Sequence, residues 1–266
     1  MIDNLYVFHG TDSKVGTTML AQSVAEMISR EKRDLKILMA SLNGRISTEY
    51  VREDPPSIDT FKMHLDNHMI NEKDFIKKCL YSDNLYRLAG VSNEMEERYY
   101  FPDTAKYLLE TVAKEFDMII VDAGNRIDNG LAVGALTEAK KIFLILTQQE
   151  TALRRFEKTK EVYNGLGISM SYYILNKYQD VDPYSLAYIK ERLDISRQLV
   201  YKVDYSRYSR MAEMDYKSLM DYKNDLFTRD IMELSNSILL ESGYSEINQR
   251  GNSNGKILYR FLSKIK

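Results

Sequence analysis

The segment from residue 5 to residue 28 constrains the fold of this 266-residue chain more than any other. It begins with a short apolar run, continues through a polar loop from Gly10 to Gly16, and becomes an amphipathic stretch that opens at Thr17. This order predicts a strand, a tight loop and a helix. In such a unit the N–H groups of the loop and of the helix N-terminus converge, and together they favour a bound phosphate group.

The loop departs at two positions from the phosphate-loop pattern G-x-x-x-x-G-K-[ST]. Gly16 occupies the second glycine and Thr18 the hydroxyl that binds a metal ion. Thr11 replaces the first glycine and Thr17 the lysine, so Lys14 is the candidate for the missing positive charge. An ordinary turn with a threonine N-cap is the alternative interpretation. The residues that we expect to bind the ligand are Thr11, Asp12, Ser13, Lys14, Val15, Gly16, Thr17 and Thr18.

Apolar runs alternate with helical patterns along the rest of the chain, which predicts a single α/β domain. Because several runs show no polar alternation, we expect a mostly parallel twisted sheet with helices on both faces. The predicted strands are 5–8, 35–41, 84–90, 117–124, 141–147, 170–176 and 198–204. The predicted helices are 17–28, 58–65, 73–80, 103–116, 131–139, 150–166, 184–193 and 226–242.

Four residues lie at the carboxyl ends of these predicted strands, where ligands bind in parallel sheets. They are Gly10, Asp122, Thr147 and Asn176. Asp122 ends the most apolar strand, and an acid in this place can hold Mg²⁺ opposite the Thr18 hydroxyl. A helix cap or a loop salt bridge is the alternative role for Asp122.

Composition excludes several classes of function. The net charge of −2 gives no overall attraction to nucleic acid, so we do not expect a nucleic-acid partner. A single cysteine, Cys79, excludes an internal disulfide and a multi-cysteine metal site. His64 and His68 are spaced to share a helix face, and we expect a solvated face there rather than a metal site.

The end of the chain changes character after the predicted domain, 1–242. Residues 243–255 are rich in Gly, Ser and Asn and predict a flexible linker. Residues 256–266 predict a basic amphipathic helix that binds an anionic membrane surface, although docking on the body or on a partner protein also fits. Asp3 and Asn4 follow Met1 without a basic leader, so we expect a cytoplasmic protein, peripheral on the inner face of the cell membrane. The expected membrane-binding residues are Ile257, Leu258, Arg260, Phe261, Leu262, Lys264 and Ile265.

Taken together, residues 4–242 resemble the MinD/ParA group of P-loop ATPases. The loop GTDSKVGTT resembles the deviant Walker A motif of that group, K-G-G-x-G-K-[ST]-T, with Asp12 and Thr17 in place of its two lysines. Ser41 and Asn43 stand where the group has the acids of a D-x-D pattern. The resemblance implies a homodimer that binds ATP and Mg²⁺, with Asn176 at the adenine.

The V-G-T-T form of the loop is similar to the TadZ/CpaE branch, whose members are localisation factors of Tad (Flp) pilus assembly. This resemblance implies a membrane-associated spatial organiser with an unidentified protein partner. Because the lysines that neutralise phosphate charge are replaced, we expect weak ATP binding or none, and slow or no hydrolysis.

Two other functions share the core of this fold. A capsule-type bacterial tyrosine kinase would carry intact Walker motifs and a tyrosine cluster at its C-terminus, whereas this tail has only Tyr244 and Tyr259. A ParA-like partition ATPase would need a basic surface for DNA. The sequence favours the spatial organiser over both.

Overall fold

The computed structural model describes residues 1–248, which alternate strands and helices around one sheet. The strands are β1 Ile2–Gly10, β2 Ile37–Ser41, β3 Leu80–Ser82, β4 Leu85–Leu88, β5 Met118–Asp122, β6 Ala139–Leu146, β7 Tyr172–Tyr178 and β8 Val200–Asp204. The helices are α1 Thr17–Glu31, α2 Lys62–Asp66, α3 Glu72–Cys79, α4 Pro102–Val112, α5 Gly130–Glu138, α6 Glu150–Gly165, α7 Leu186–Arg192, α8 Ser209–Met214 and α9 Asp225–Glu241. Short 3₁₀ turns cover Ile58–Phe61, Glu94–Tyr99, Ala113–Glu115 and Leu219–Asp221.

The order of the strands brings the loop of residues 10–16 next to Asp122. The eight-stranded sheet runs β3-β4-β2-β5-β1-β6-β7-β8. All neighbours pair in parallel except β3 and β4, which confirms the predicted mostly parallel sheet. Phe8 is in register with Asp122, and Gly10 with Ile145. The carboxyl ends of β1, β5 and β6 therefore lie side by side.

Both faces of the sheet are covered, as the apolar runs predicted. Along β1, Leu5 and Val7 enter one core, and Tyr6 and Phe8 enter the other, because successive side chains of a strand point to opposite faces. Helices α4 and α5 pack in the first core, and α1 and α9 in the second. The described residues thus form a single α/β domain.

Several local predictions differ from the structure. The strand β3 was missed, because three residues are too few to show a strand pattern. The helix predicted at 58–65 is a 3₁₀ turn, Ile58–Phe61, followed by the short α2, and the helix α8 was not predicted. The helix predicted at 73–80 is confirmed as α3, shifted by one residue. His64 and His68 do not share a helix face, because α2 ends at Asp66 and the His68 ring instead stacks on Tyr107, with centroids 4.3 Å apart.

The last described residues pack at the amino ends of the strands, which is the end of the sheet opposite the loop of residues 10–16. Residues 243–248, the first part of the predicted linker, lie there: the Tyr244 hydroxyl donates to Asp117 at 3.2 Å, and Ile247 is buried. Residues 249–266 lie outside the described residues, so the linker and the terminal helix stay predictions. Within residues 1–248, no helix has the length and apolarity to cross a membrane.

Replacing Phe143 by alanine should destabilise the fold by about 3–5 kcal/mol, because the ring is fully buried and its loss leaves a cavity. It stacks on Phe8 directly before the loop, with centroids 4.8 Å apart. Urea unfolding measures the change. Phe101→Ala is the matched control, since that ring is 65% exposed and its loss should cost little. Equal losses from the two variants would contradict the assigned core.

Candidate functional site

Two glycines let the loop close over the end of β1. A Cβ atom on Gly10 would lie 2.4 Å from the Thr17 hydroxyl and 2.7 Å from the Val15 side chain. Gly16 has a φ of +97°, and a Cβ there would lie 2.3 Å from the Asn176 amide nitrogen. Both positions therefore require glycine, although the sequence shows only one glycine of the phosphate-loop pattern.

Helix α1 starts at the loop without a side-chain cap. Its N-cap residue is Gly16, and no side chain accepts a hydrogen bond from the first turn. The alternative of a threonine-capped turn is therefore wrong. The first N–H groups of a helix need acceptors, and here they are left for water or for an anion at the loop.

The two predicted metal ligands meet at this helix end. The Thr18 hydroxyl donates to the Asp122 carboxylate at 2.6 Å. Asp122 also accepts from the Asn43 amide at 2.8 Å and from the Gly124 N–H at 2.9 Å. Asp122 is fully buried, and burial raises the pKa of its carboxyl above the usual range. A cation beside the pair would compensate this buried charge.

Asn176 and Lys177, at the end of β7, form one wall of the loop. The Asn176 amide donates to the Val15 carbonyl at 2.7 Å, and the Lys177 ammonium donates to the Lys14 carbonyl at 2.6 Å. Asn176 is 1% exposed, yet its side-chain oxygen has no hydrogen-bond partner among the described residues. A buried acceptor without a donor is costly, so this oxygen marks a place for a ligand donor or a water.

A cleft of ≈370 Å³ lies on the opposite side of the loop, against α6. Thr11, Ser13 and Arg155 are among its lining residues. Arg155 donates to the Asp12 carboxylate at 2.9 Å. The Asp12 carboxylate is therefore paired with a positive charge of the same chain.

A buried histidine joins the loop to α6 and to β5. His9, directly before Gly10, is bonded through Nε2 to the Tyr163 hydroxyl at 2.9 Å, and its Nδ1 lies 3.3 Å from the Ala123 carbonyl. Burial lowers the pKa of the His9 imidazole to about 4, so the ring is neutral at pH 7. Because Nδ1 of the neutral ring donates to the Ala123 carbonyl, Nε2 accepts from the Tyr163 hydroxyl. This hydrogen bond holds α6 against the loop.

The structure brings most of the predicted residues together. Thr11 anchors the loop through its N–H to the Ile145 carbonyl at 2.9 Å, and the Ser13 N–H binds the Asp12 carboxylate at 2.7 Å. Sequence reasoning missed Arg155 and Lys177. Lys177 could have been found from its place beside Asn176, whereas nothing in the sequence pairs Arg155 with a residue so far away.

Solved structures with a similar architecture include ParA and MinD ATPases. A ParA family ATPase from Chlorobium tepidum TLS matches 88% of this chain and 98% of its own, with a TM-score of 0.75 and 18% identity. The chain has the ParA/MinD fold. The cell division ATPase MinD from Pyrococcus furiosus covers 87% of this chain and 98% of its own, with a TM-score of 0.67 and 15% identity. The septum site-determining protein MinD from Pyrococcus horikoshii OT3, complexed with Mg-ADP, covers 89% and 98%, with a TM-score of 0.63 and 13% identity.

No family model matches the sequence, and no curated protein matches it. At these identities the likeness establishes the ParA/MinD fold and leaves function to the site. Within that fold, the Thr18–Asp122 pair and the wall formed by Asn176 and Lys177 are the features of this chain that bear on a ligand.

Asp122→Asn should raise the free energy of unfolding of the ligand-free protein by about 1–2 kcal/mol at pH 7, because it removes a buried charge. The folded-state pKa of Asp122 is raised, so the destabilisation is absent below the usual carboxyl pKa and grows with pH until the raised pKa is passed. The gain of the variant should grow in the same window, as urea unfolding across pH can show. Asp128→Asn, at a carboxylate that is 71% exposed, is the control and should change little. A less stable Asp122→Asn variant would contradict this account.

Proposed function

We propose that the protein binds ATP with Mg²⁺ at the phosphate loop. The proposal rests mainly on the Thr18 hydroxyl and the Asp122 carboxylate, which lie 2.6 Å apart at the start of α1. Magnesium prefers oxygen ligands and is usually held by one or two protein oxygens together with phosphate oxygens and water. A hydroxyl and a carboxylate beside a phosphate cradle supply that set.

The surroundings of the pair support a nucleotide. The uncapped start of α1 and the left-handed Gly16 present N–H groups to a phosphate. The unpartnered oxygen of Asn176 is an acceptor for the amino group of adenine. Among the structural neighbours, MinD from Pyrococcus horikoshii is complexed with Mg-ADP.

We further propose that hydrolysis is slow or absent. Thr17 is buried and uncharged at the position where phosphate-loop enzymes have a lysine. Asp12 forms an ion pair with Arg155. Asn43 donates its amide to Asp122, and an amide cannot take a proton from an attacking water. The site thus keeps groups that bind a nucleotide and lacks groups that would stabilise the charge of phosphoryl transfer.

The biological role that we propose is a membrane-associated spatial organiser of the MinD/ParA type, such as a localisation factor of Tad pilus assembly. It would act as a homodimer on the inner face of the cell membrane, with a protein partner not yet identified. Support comes from the fold and from the basic amphipathic pattern of residues 256–266. The last described residues lie at the amino ends of the strands, whereas the loop lies at the carboxyl ends. A tail bound to a membrane therefore need not cover the nucleotide site.

Calorimetric titration with Mg-ATP should show saturable binding by the wild-type protein. Thr18→Ala should weaken binding by about tenfold or more, because it removes a magnesium ligand. Thr151→Ala, at an exposed threonine on α6, is the matched control and should bind like the wild type. Absence of wild-type binding at millimolar nucleotide would refute the proposal.

Flotation with vesicles tests the tail. The full chain should float with vesicles that contain anionic lipid, and a chain without residues 256–266 should not. Phe261→Asp, which places a charge in the apolar stripe, should also abolish flotation, whereas Ser263→Asp serves as the control for added charge. Equal flotation with and without the tail would contradict membrane binding through this segment.

A further inference from the structure

We propose that Lys14 and Lys177 together supply positive charge to the nucleotide phosphates. They would replace the lysine charge that is missing at Thr17. This inference rests on the proposed nucleotide site and goes beyond it, because it assigns the phosphate charge to two residues outside the usual lysine position. One of them comes from the loop itself and the other from the end of β7.

The main chain at Lys14 holds the Lys177 side chain in place. The Lys177 ammonium donates to the Lys14 carbonyl at 2.6 Å, which keeps the Lys177 side chain against the loop. Lys14 has a φ of 59° and Lys177 a φ of 56°, in the left-handed region that residues other than glycine seldom adopt. Such conformations cost free energy and are concentrated at ligand sites.

The charges of the pair are not compensated within the described chain. Across residues 1–248, no carboxylate forms an ion pair with either lysine. Burial and the charge of Lys14 both lower the pKa of the Lys177 ammonium, as expected for two cations that lie close together. An anion beside them would remove this repulsion.

The two carboxylates near the loop are each accounted for by other groups. Asp12 would repel a phosphate, but Arg155 neutralises it at 2.9 Å. Asp122 lies fully buried at the base of the site, where it faces the Thr18 hydroxyl and the proposed Mg²⁺. Among the described residues, Lys14 and Lys177 are therefore the loop's charges without an ion-pair partner.

The test is the dissociation constant for Mg-ATP of charge-neutral variants in the full chain. Lys14→Gln and Lys177→Gln remove one charge each and keep a polar side chain that can donate a hydrogen bond. Each should weaken binding by about tenfold, and the double variant more. Lys177→Arg should bind like the wild type. Lys77→Gln removes the same charge from the exposed face of α3 and should have no effect.

The result that overturns the inference is wild-type affinity in both glutamine variants, which would leave the proposed nucleotide site intact. Equal weakening by Lys177→Arg and Lys177→Gln would also overturn it, because shape rather than charge would then explain the loss. If the wild-type protein binds no nucleotide, the proposed function fails together with this inference. Thermal unfolding without nucleotide checks that each variant is folded, and the Lys14→Gln variant alone decides the question if position 177 proves essential for folding.

Discussion

The hydrogen bond between the Thr18 hydroxyl and the Asp122 carboxylate joins the two halves of the site. It exists because β5 lies next to β1 in the sheet, with Asp122 in register with Phe8 at the strand ends. Since the carboxylate is buried, it must be paired by donors, and the Thr18, Asn43 and Gly124 groups surround it. The loop, the start of α1 and the segment after β2 are all positioned around this one charge.

The loop has the backbone form of the phosphate-loop pattern, but its charged side chains stand at other positions. The glycine-dependent closure and the uncapped helix start are those of a phosphate cradle. The position usually held by lysine is neutral at Thr17, and an acid at position 12 is cancelled by Arg155. We therefore propose that this site binds a nucleotide without hydrolysing it, because binding needs donors and net charge, whereas phosphoryl transfer needs charge placed at the transferred group.

The elements of the fold followed from the sequence, but the details of the site followed only in part. Apolar runs such as the one before Asp122 are long enough to predict buried parallel strands, whereas β3 is too short to leave a pattern. The Thr18–Asp122 pair could be predicted because each residue sits at the end of a recognisable element. The Arg155–Asp12 ion pair could not, because it joins residues 143 apart through the packing of α6 against the loop.

The rate of phosphate release at saturating Mg-ATP tests most directly whether this loop binds without reacting. It should be measured on the wild-type protein at nucleotide concentrations well above the dissociation constant, with and without anionic vesicles. We expect a rate at or near that of ATP alone in buffer. A rate in the range of ordinary enzymes, about 1 s⁻¹ or more, would contradict the account and show that other groups of the site supply the missing catalytic charge.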